Sequence, residues 1–114
     1  AALVFVGDYE RAVARFLEAL SIAEARRDTR VAARARLGLG VAHLALGEPA
    51  LAATHLEVAA RALEHSDPPQ HVLALLRLAD AERRRGRVAA ADRHLGAAAV
   101  ASARLRTPAL RARV

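Results

Sequence analysis

Apolar positions recur along this chain with helical spacing, and three helical segments follow a glycine in the same way. Gly7 and Gly47 lie 40 residues apart, and Gly47 and Gly86 lie 39 apart. After each glycine come a small residue at +5, a large apolar residue at +9 and a small residue at +12, which share one helix face. These residues are Ala12, Phe16 and Ala19, then Ala52, Leu56 and Ala59, then Ala91, Leu95 and Ala98. The period predicts a stack of helical repeats.

Local signals predict where the helices begin and end. Gly47 and Gly86 are suited to end the first helix of a pair, because glycine turns the chain without steric cost. The candidate N-caps are Asp8, Asp28 or Thr29, and Asp67, and the prolines suited to a first turn are Pro49 and Pro68. The predicted helices span 8–27, 30–46, 49–64, 69–85 and 88–104, and Thr107-Pro108 starts a sixth.

The predicted fold is all-α, a solenoid of antiparallel helix pairs with about five helices and a terminal stub. Strong helix formers such as Ala, Leu, Arg and Glu dominate, whereas the aromatic residues that favour strands make up 3%. We expect one domain over 1–114, as a fragment of a larger protein. Its expected parts are a partial repeat at 1–28, repeats at 29–66 and 67–106, and the start of another at 107–114.

The two later repeats resemble the tetratricopeptide repeat (TPR) family. In the middle repeat, the family's pattern is carried by Leu39-Gly40, Gly47, Ala52, Leu56 and Ala59. In the last repeat, it is carried by Leu78-Ala79, Gly86, Ala91, Leu95 and Ala98. The family's Trp position holds Arg36 or Leu75, and its Tyr position holds His43 or Glu82. The resemblance implies a non-catalytic protein–protein interaction module.

The long period makes the resemblance more specific. The usual TPR period is about 34 residues, whereas this chain repeats every 39–40 residues and has an Arg-Asp turn before an Ala- and Arg-rich helix. This form is similar to the TPR arrays of bacterial transcriptional regulators of the Streptomyces antibiotic regulatory protein (SARP) type and of large ATP-binding LuxR-family regulators. The expected role is a sensor or scaffold segment in the cytoplasm of an actinobacterium. A free-standing TPR adaptor is the alternative.

The resemblance also implies where a partner binds, because the first helices of TPR pairs line an inner surface. The expected partner-binding residues are Arg34, Leu37, Val41, Leu44, Leu73, Leu76, Arg77, Asp80 and Arg84, with Gly38 and Ala45 beside them. An apolar groove with a charged edge suits a peptide or another domain of the same chain. The alternative is that Leu37, Val41 and Leu44 pack against a neighbouring helix. The Lys, Asn and Arg clamp of some TPR domains is excluded, because the chain has no Lys or Asn.

The formal net charge is +6, and all 18 basic residues are Arg. Codon bias in a GC-rich genome explains this composition, and an arginine surface selected for anions is the alternative. The densest run is Arg83–Arg87, at the end of a predicted helix, where the helix dipole favours cations. Nucleic-acid contact through this run is the alternative function. It is not favoured, because the run lacks the aromatic residues on which bases stack.

No catalytic residue, cofactor or metal is expected. The absence of cysteine excludes disulfides and cysteine-based zinc sites. His55 and His94 lie 39 residues apart and thus hold the same place in successive repeats, which argues against a metal pair. Ser21, Ser66 and Ser102 lie outside any G-x-S-x-G turn. No apolar run reaches the roughly 18 residues of a membrane span, so no membrane partner is expected.

The two ends of the repeat stack are expected to associate. A solenoid normally needs polar terminal repeats to cover its last apolar faces. Residues 1–6 are expected to be the tail of an incomplete helix, and residues 108–114 the opposite stub. We therefore expect a homodimer or end-to-end packing.

Overall fold

The computed structural model describes residues 6–106, which form five consecutive α-helices joined by short turns. These are α1 (Val6–Ala25), α2 (Thr29–Ala45), α3 (Pro49–Leu63), α4 (Pro68–Arg84) and α5 (Val88–Leu105). The described residues contain no strand, so the all-α prediction is confirmed. The predicted start of a further repeat at 107–114 and most of the predicted N-terminal stub lie outside the described residues.

The first helix differs from the prediction. It begins at Val6, so Asp8 lies in its first turn and pairs with Arg11. Gly7 is the second residue of α1 and does not turn the chain as Gly47 does. One glycine costs a helix only about 1 kcal/mol relative to alanine, which is too little to end it. Asp8 is therefore not the N-cap of this helix.

The caps of α2 and α4 follow the predicted signals. The Asp28 carboxylate accepts a hydrogen bond from the Val31 amide at 3.1 Å. The Asp67 carboxylate accepts one from the Gln70 amide at 3.4 Å. The prolines that open α3 and α4 stand in the first turn, where a missing amide hydrogen costs no intrahelical bond.

Three turns share one hydrogen-bond pattern. Gly47 and Gly86 have φ angles of +74° and +78°, and Arg27 adopts +55° after α1. In each turn, the amide of this residue bonds the carbonyl three residues back, and the next amide bonds the carbonyl five residues back. This arrangement satisfies carbonyls that a helix end leaves free. The turn after α1 is therefore of the glycine type without a glycine.

The core lies mainly between α2, α3 and α4, with Leu56 at its centre and fully buried. The two +9 residues occupy space that α2 leaves open by having glycines. A Cβ on Gly38 would stand 2.4 Å from the Phe16 ring, and one on Gly40 would stand 2.3 Å from Leu56 Cγ. The Leu-Gly pair of the sequence pattern thus permits a close approach between α2 and α3.

The spacing of the helices gives the stack an inner and an outer side. Each helix packs on the next one along the chain, and α2 and α4 also approach each other within 8 Å between Cα atoms. Among residues 6–106, no such approach joins α1 to α3 or α3 to α5. The first helices of successive pairs are therefore closer together than the second helices, which places α2 and α4 on the inner side.

Candidate functional site

The inner side presents one continuous set of accessible residues. Successive members on each helix are three, four or seven residues apart, a spacing that keeps their side chains on one side of the helix. The residues are Arg34, Val41 and Ala45 of α2, with Leu73, Arg77, Asp80 and Arg84 of α4. We call these seven residues the inner face. Six of them are predicted partner-binding residues, and Ala45 is the neighbour predicted beside them.

The remaining predicted residues lie elsewhere. Leu37 and Leu44 are each 6% exposed and belong to the core that α2 shares with α3 and α4. They therefore pack against neighbouring helices, as the alternative proposed, and a partner on the inner face would not touch them. Val41 is 37% exposed and stays accessible. Leu76 is exposed but lines a groove between α4 and α5 at the end of the stack.

Polar contacts join α2 and α4 at both ends of the inner face. Arg34 donates a hydrogen bond to the Asp67 carboxylate at 3.1 Å. At the other end, Arg84 Nη1 donates to the Leu44 carbonyl oxygen, also at 3.1 Å. Exposed ion pairs contribute at most about 1 kcal/mol, so the main effect of the first contact is on geometry. Together the two contacts hold the two helices side by side.

The charge of the inner face is mainly positive. Asp80 is its single acidic residue and accepts hydrogen bonds from Arg83 at 2.8 Å and from Arg84 at 3.3 Å. The hydrogen bond from Arg83 is the main reason why the pKa of Asp80 lies below its ordinary value of 3.8. Arg77 forms no ion pair within the described part of the chain. The face therefore offers one unpaired guanidinium next to apolar side chains.

The arginine run at the end of α4 is largely engaged within the chain. Arg83 and Arg84 pair with Asp80, and Arg85 pairs with Glu82 at 2.9 Å. Glu82 is buried, so the Arg85 pair also satisfies a carboxylate that has little access to water. The run therefore presents less free charge than its sequence indicates.

A chain of polar side chains crosses the middle repeat. Arg36 donates to the Glu24 carboxylate at 3.3 Å and to His55 Nδ1 at 3.5 Å. The His55 and His43 rings stack with 5.7 Å between their centroids. His43 Nδ1 donates to the Glu48 carboxylate at 3.0 Å. We call these five residues the polar chain.

The partners in the polar chain determine where protons sit. A guanidinium only donates, so His55 Nδ1 accepts and carries no proton. Burial, followed by the nearby His43 and Arg36, lowers the pKa of His55 below 6.5. The neutral form of His55 is therefore the one that fits this packing.

The sequence analysis missed the polar chain, although a signal for it was present. Arg36 and His43 stand at the two aromatic positions of the repeat pattern. Polar groups at such buried positions need hydrogen-bond partners, and the nearest candidates lie on the adjoining helices. His94, the counterpart of His55, instead lines an open groove between α3 and α5. The two histidines thus share a repeat position but not an environment.

Two further observations concern residues 6–106 only. Within them, no group of three or more His, Asp or Glu side chains is placed to hold a metal ion. No helix among them combines the length and the apolar character needed to cross a bilayer.

The stacked helix pairs and the inner face define a helical-repeat protein of the kind that binds partners through an extended concave surface. The sequence matches the tetratricopeptide repeat family over residues 2–65, which is more than half of its length. The chain belongs to the tetratricopeptide repeat family. Repeats of this family generally mediate protein–protein interactions and are typically non-catalytic.

The backbone is also similar to that in the crystal structure of the apo form of RapI. The TM-score is 0.83 over 87% of this chain. The two sequences are 22% identical, so the likeness shows a shared fold alone. This chain spans 36% of the RapI chain. No curated protein matches the sequence.

Proposed function

We propose that this chain is a non-catalytic protein–protein interaction module that binds a peptide or a neighbouring domain on its inner face. The observation that carries this proposal is the exposure of Val41 on the same face as the unpaired Arg77. The two polar contacts hold this part of the face in a fixed shape, which lowers the entropy cost of binding. An apolar side chain and a guanidinium suit a segment that has an apolar anchor and a carboxylate.

A peptide library displayed on phage tests this proposal, with the whole chain as the immobilised target. Val41→Asp is the test variant, and Leu51→Asp is its matched control, because Leu51 is 50% exposed on α3 outside the inner face. Peptides enriched on the wild type should bind Val41→Asp at least about tenfold more weakly, a change of about 1.4 kcal/mol. They should bind Leu51→Asp as tightly as the wild type. Equal binding to all three proteins would contradict the proposal.

We place the module in a larger bacterial transcriptional regulator of the SARP or LuxR type, in the cytoplasm of an actinobacterium. The support is the period of 39–40 residues, the Arg-Asp turn at 27–28 and the Ala- and Arg-rich composition. Binding on the inner face would then control an effector domain in the same protein. Sequencing the coding region on both sides tests this placement. A P-loop and a DNA-binding domain in the same frame would support it, whereas repeats alone would indicate a free-standing adaptor.

Direct contact with nucleic acid is the second candidate function, and the net charge of +6 favours it. The ion pairs of the Arg83–Arg87 run weigh against it. Binding to duplex DNA at rising salt decides the question, because log K falls by about 0.9 per log unit of salt for each phosphate contact. If the run binds DNA, Arg87→Ala should flatten this slope. Failure to bind at physiological salt would remove this candidate.

A second copy of this chain is a further proposed partner, through the exposed ends of the repeat stack. Apolar side chains left open at both ends support this part of the proposal. The ends differ in charge, which leads to a more specific arrangement.

A further inference from the structure

The last helix pair has an open groove of about 390 Å³ between α4 and α5. Ala79 and Ala91 form its floor, because their small side chains leave space between the two helices. Leu76 on one wall and Val88 and Leu95 on the other supply apolar surface. We call this feature the end groove.

The middle repeat shows what such a groove holds. Leu37 and Leu56 are the counterparts of Leu76 and Leu95 one repeat earlier, and both are buried because α4 packs over α2 and α3. In the last repeat, Leu76 and Leu95 are 45% and 48% exposed. No helix of the described part of the chain covers them. The end groove therefore has the form of a helix-binding site.

The charges around the end groove favour an acidic helix. Arg77, Arg83 and Arg84 line its α4 side, and Asp80 is already neutralised by the last two. Asp92 on α5 is the other acidic residue of the lining. The net charge of the lining is therefore positive.

The opposite end of the molecule is acidic. α1 contains four acidic residues and two arginines, a balance of −2 in a chain whose net charge is +6. Glu10, Ala14, Leu17 and Ser21 recur at helical spacing on its exposed side, and Leu17 is 49% exposed. Glu18 is exposed beside them. This surface is an apolar side chain flanked by carboxylates.

We propose that α1 of a second copy binds in the end groove, with its Leu17 against Leu76 and Leu95 and its Glu18 facing Arg83. The contact joins two different surfaces, so each pair of copies keeps one free groove and one free α1. Association therefore continues beyond a dimer as the concentration rises. The proposal rests on the interaction-module function above, but it requires neither Val41 nor a peptide.

Sedimentation velocity of the whole chain over a range of concentrations tests this arrangement. The weight-average mass should rise past twice the 12.1 kDa of one chain, and it should fall as salt is added. Leu95→Asp should weaken association by about tenfold or more, because it places a charge in an apolar contact. Leu51→Asp and Val41→Asp should associate as the wild type does. Helix content from circular dichroism confirms that each variant is folded.

A charge exchange tests the pairing of unlike ends. Glu18→Arg and Arg83→Glu should each associate about tenfold more weakly alone, because like charges then meet. An equimolar mixture of the two variants should recover association, since each reversed charge now finds its opposite on the other variant.

Three outcomes would overturn the arrangement: a monomer at every concentration, equal weakening by Leu51→Asp, or a strict dimer that the mixture does not restore. Loss of association while the peptides still depend on Val41 would remove only this inference. The reverse result would remove the inner-face function and leave this inference standing.

Discussion

Single glycines set how closely the helices of this repeat approach. Gly38 and Gly40 leave room on α2 for Phe16 and Leu56, and neither glycine could gain a Cβ without a clash. The last repeat has Ala79 at the place of Gly40, and Leu95, the counterpart of Leu56, lies in the end groove instead of a core. The small residues were visible in the sequence, but the partner of each became clear only from the packing.

Gly40→Ala should destabilise the fold by about 1–3 kcal/mol, because the added methyl group overpacks the contact with Leu56. Gly96→Ala is the control. No atom lies within 4 Å of a Cβ at Gly96, which is exposed in α5. This second change should stabilise by up to about 1 kcal/mol through helix propensity alone. Urea unfolding measures both, and equal midpoints for the two variants would refute the packing argument.

Arg27→Gly should stabilise the fold. A non-glycine residue at positive φ costs about 1–2 kcal/mol, and glycine entropy in the unfolded chain returns about 0.5–1 kcal/mol of that. The expected net gain is therefore up to about 1 kcal/mol in thermal or urea unfolding. Gly86→Ala is the converse change, since it places a Cβ at φ +78° with no atom within 4 Å. A lower midpoint for Arg27→Gly, or no loss for Gly86→Ala, would be inconsistent with this account.

Helix boundaries could be predicted wherever a local signal decides them. Asp28 and Asp67 cap as expected, and Gly47 and Gly86 turn the chain as expected. The start of α1 could not be predicted, because Gly7 carries the same sequence signal as the other two glycines yet lies within a helix. A signal at one residue is worth about 1 kcal/mol, which the continuation of a helix can outweigh.

The contact between α2 and α3 should make stability depend on pH through His55. Its pKa is lower in the folded chain than the ordinary 6.5 of the unfolded chain, so the unfolded chain binds the proton more readily. The free energy of unfolding should therefore hold its value above pH 6.5 and fall as the pH drops below it toward the folded pKa.

Urea unfolding at several pH values from about 7.5 to 5 measures this effect. His55→Gln, which cannot take up a proton, should show a weaker dependence over that range. Asp80 does not interfere, because its pKa is lowered from 3.8 and its contribution is lost only below that pH. Identical pH profiles for the wild type and His55→Gln would rule out this role of the polar chain.

The architecture of the whole molecule followed from the repeat period, since helix pairs of one length that recur must stack. The inner face was only partly predictable. Leu37, Val41 and Leu44 look alike in sequence, but only Val41 escapes burial. A single helix pattern does not reveal which of its flanks the next helix covers, because that depends on the direction of the stack. Arg77 and Arg84 were identified, whereas the contact of Arg84 with the Leu44 carbonyl needed the structure.

The central claim is that partners bind across α2 and α4. Backbone amide NMR of the ¹⁵N-labelled chain, titrated with the most enriched library peptide, tests it most directly. The account predicts that the largest shifts fall on both helices, around Arg34, Val41, Arg77 and Arg84. Shifts confined to α1, α3 and α5 would place the binding site on the outer side and contradict the claim.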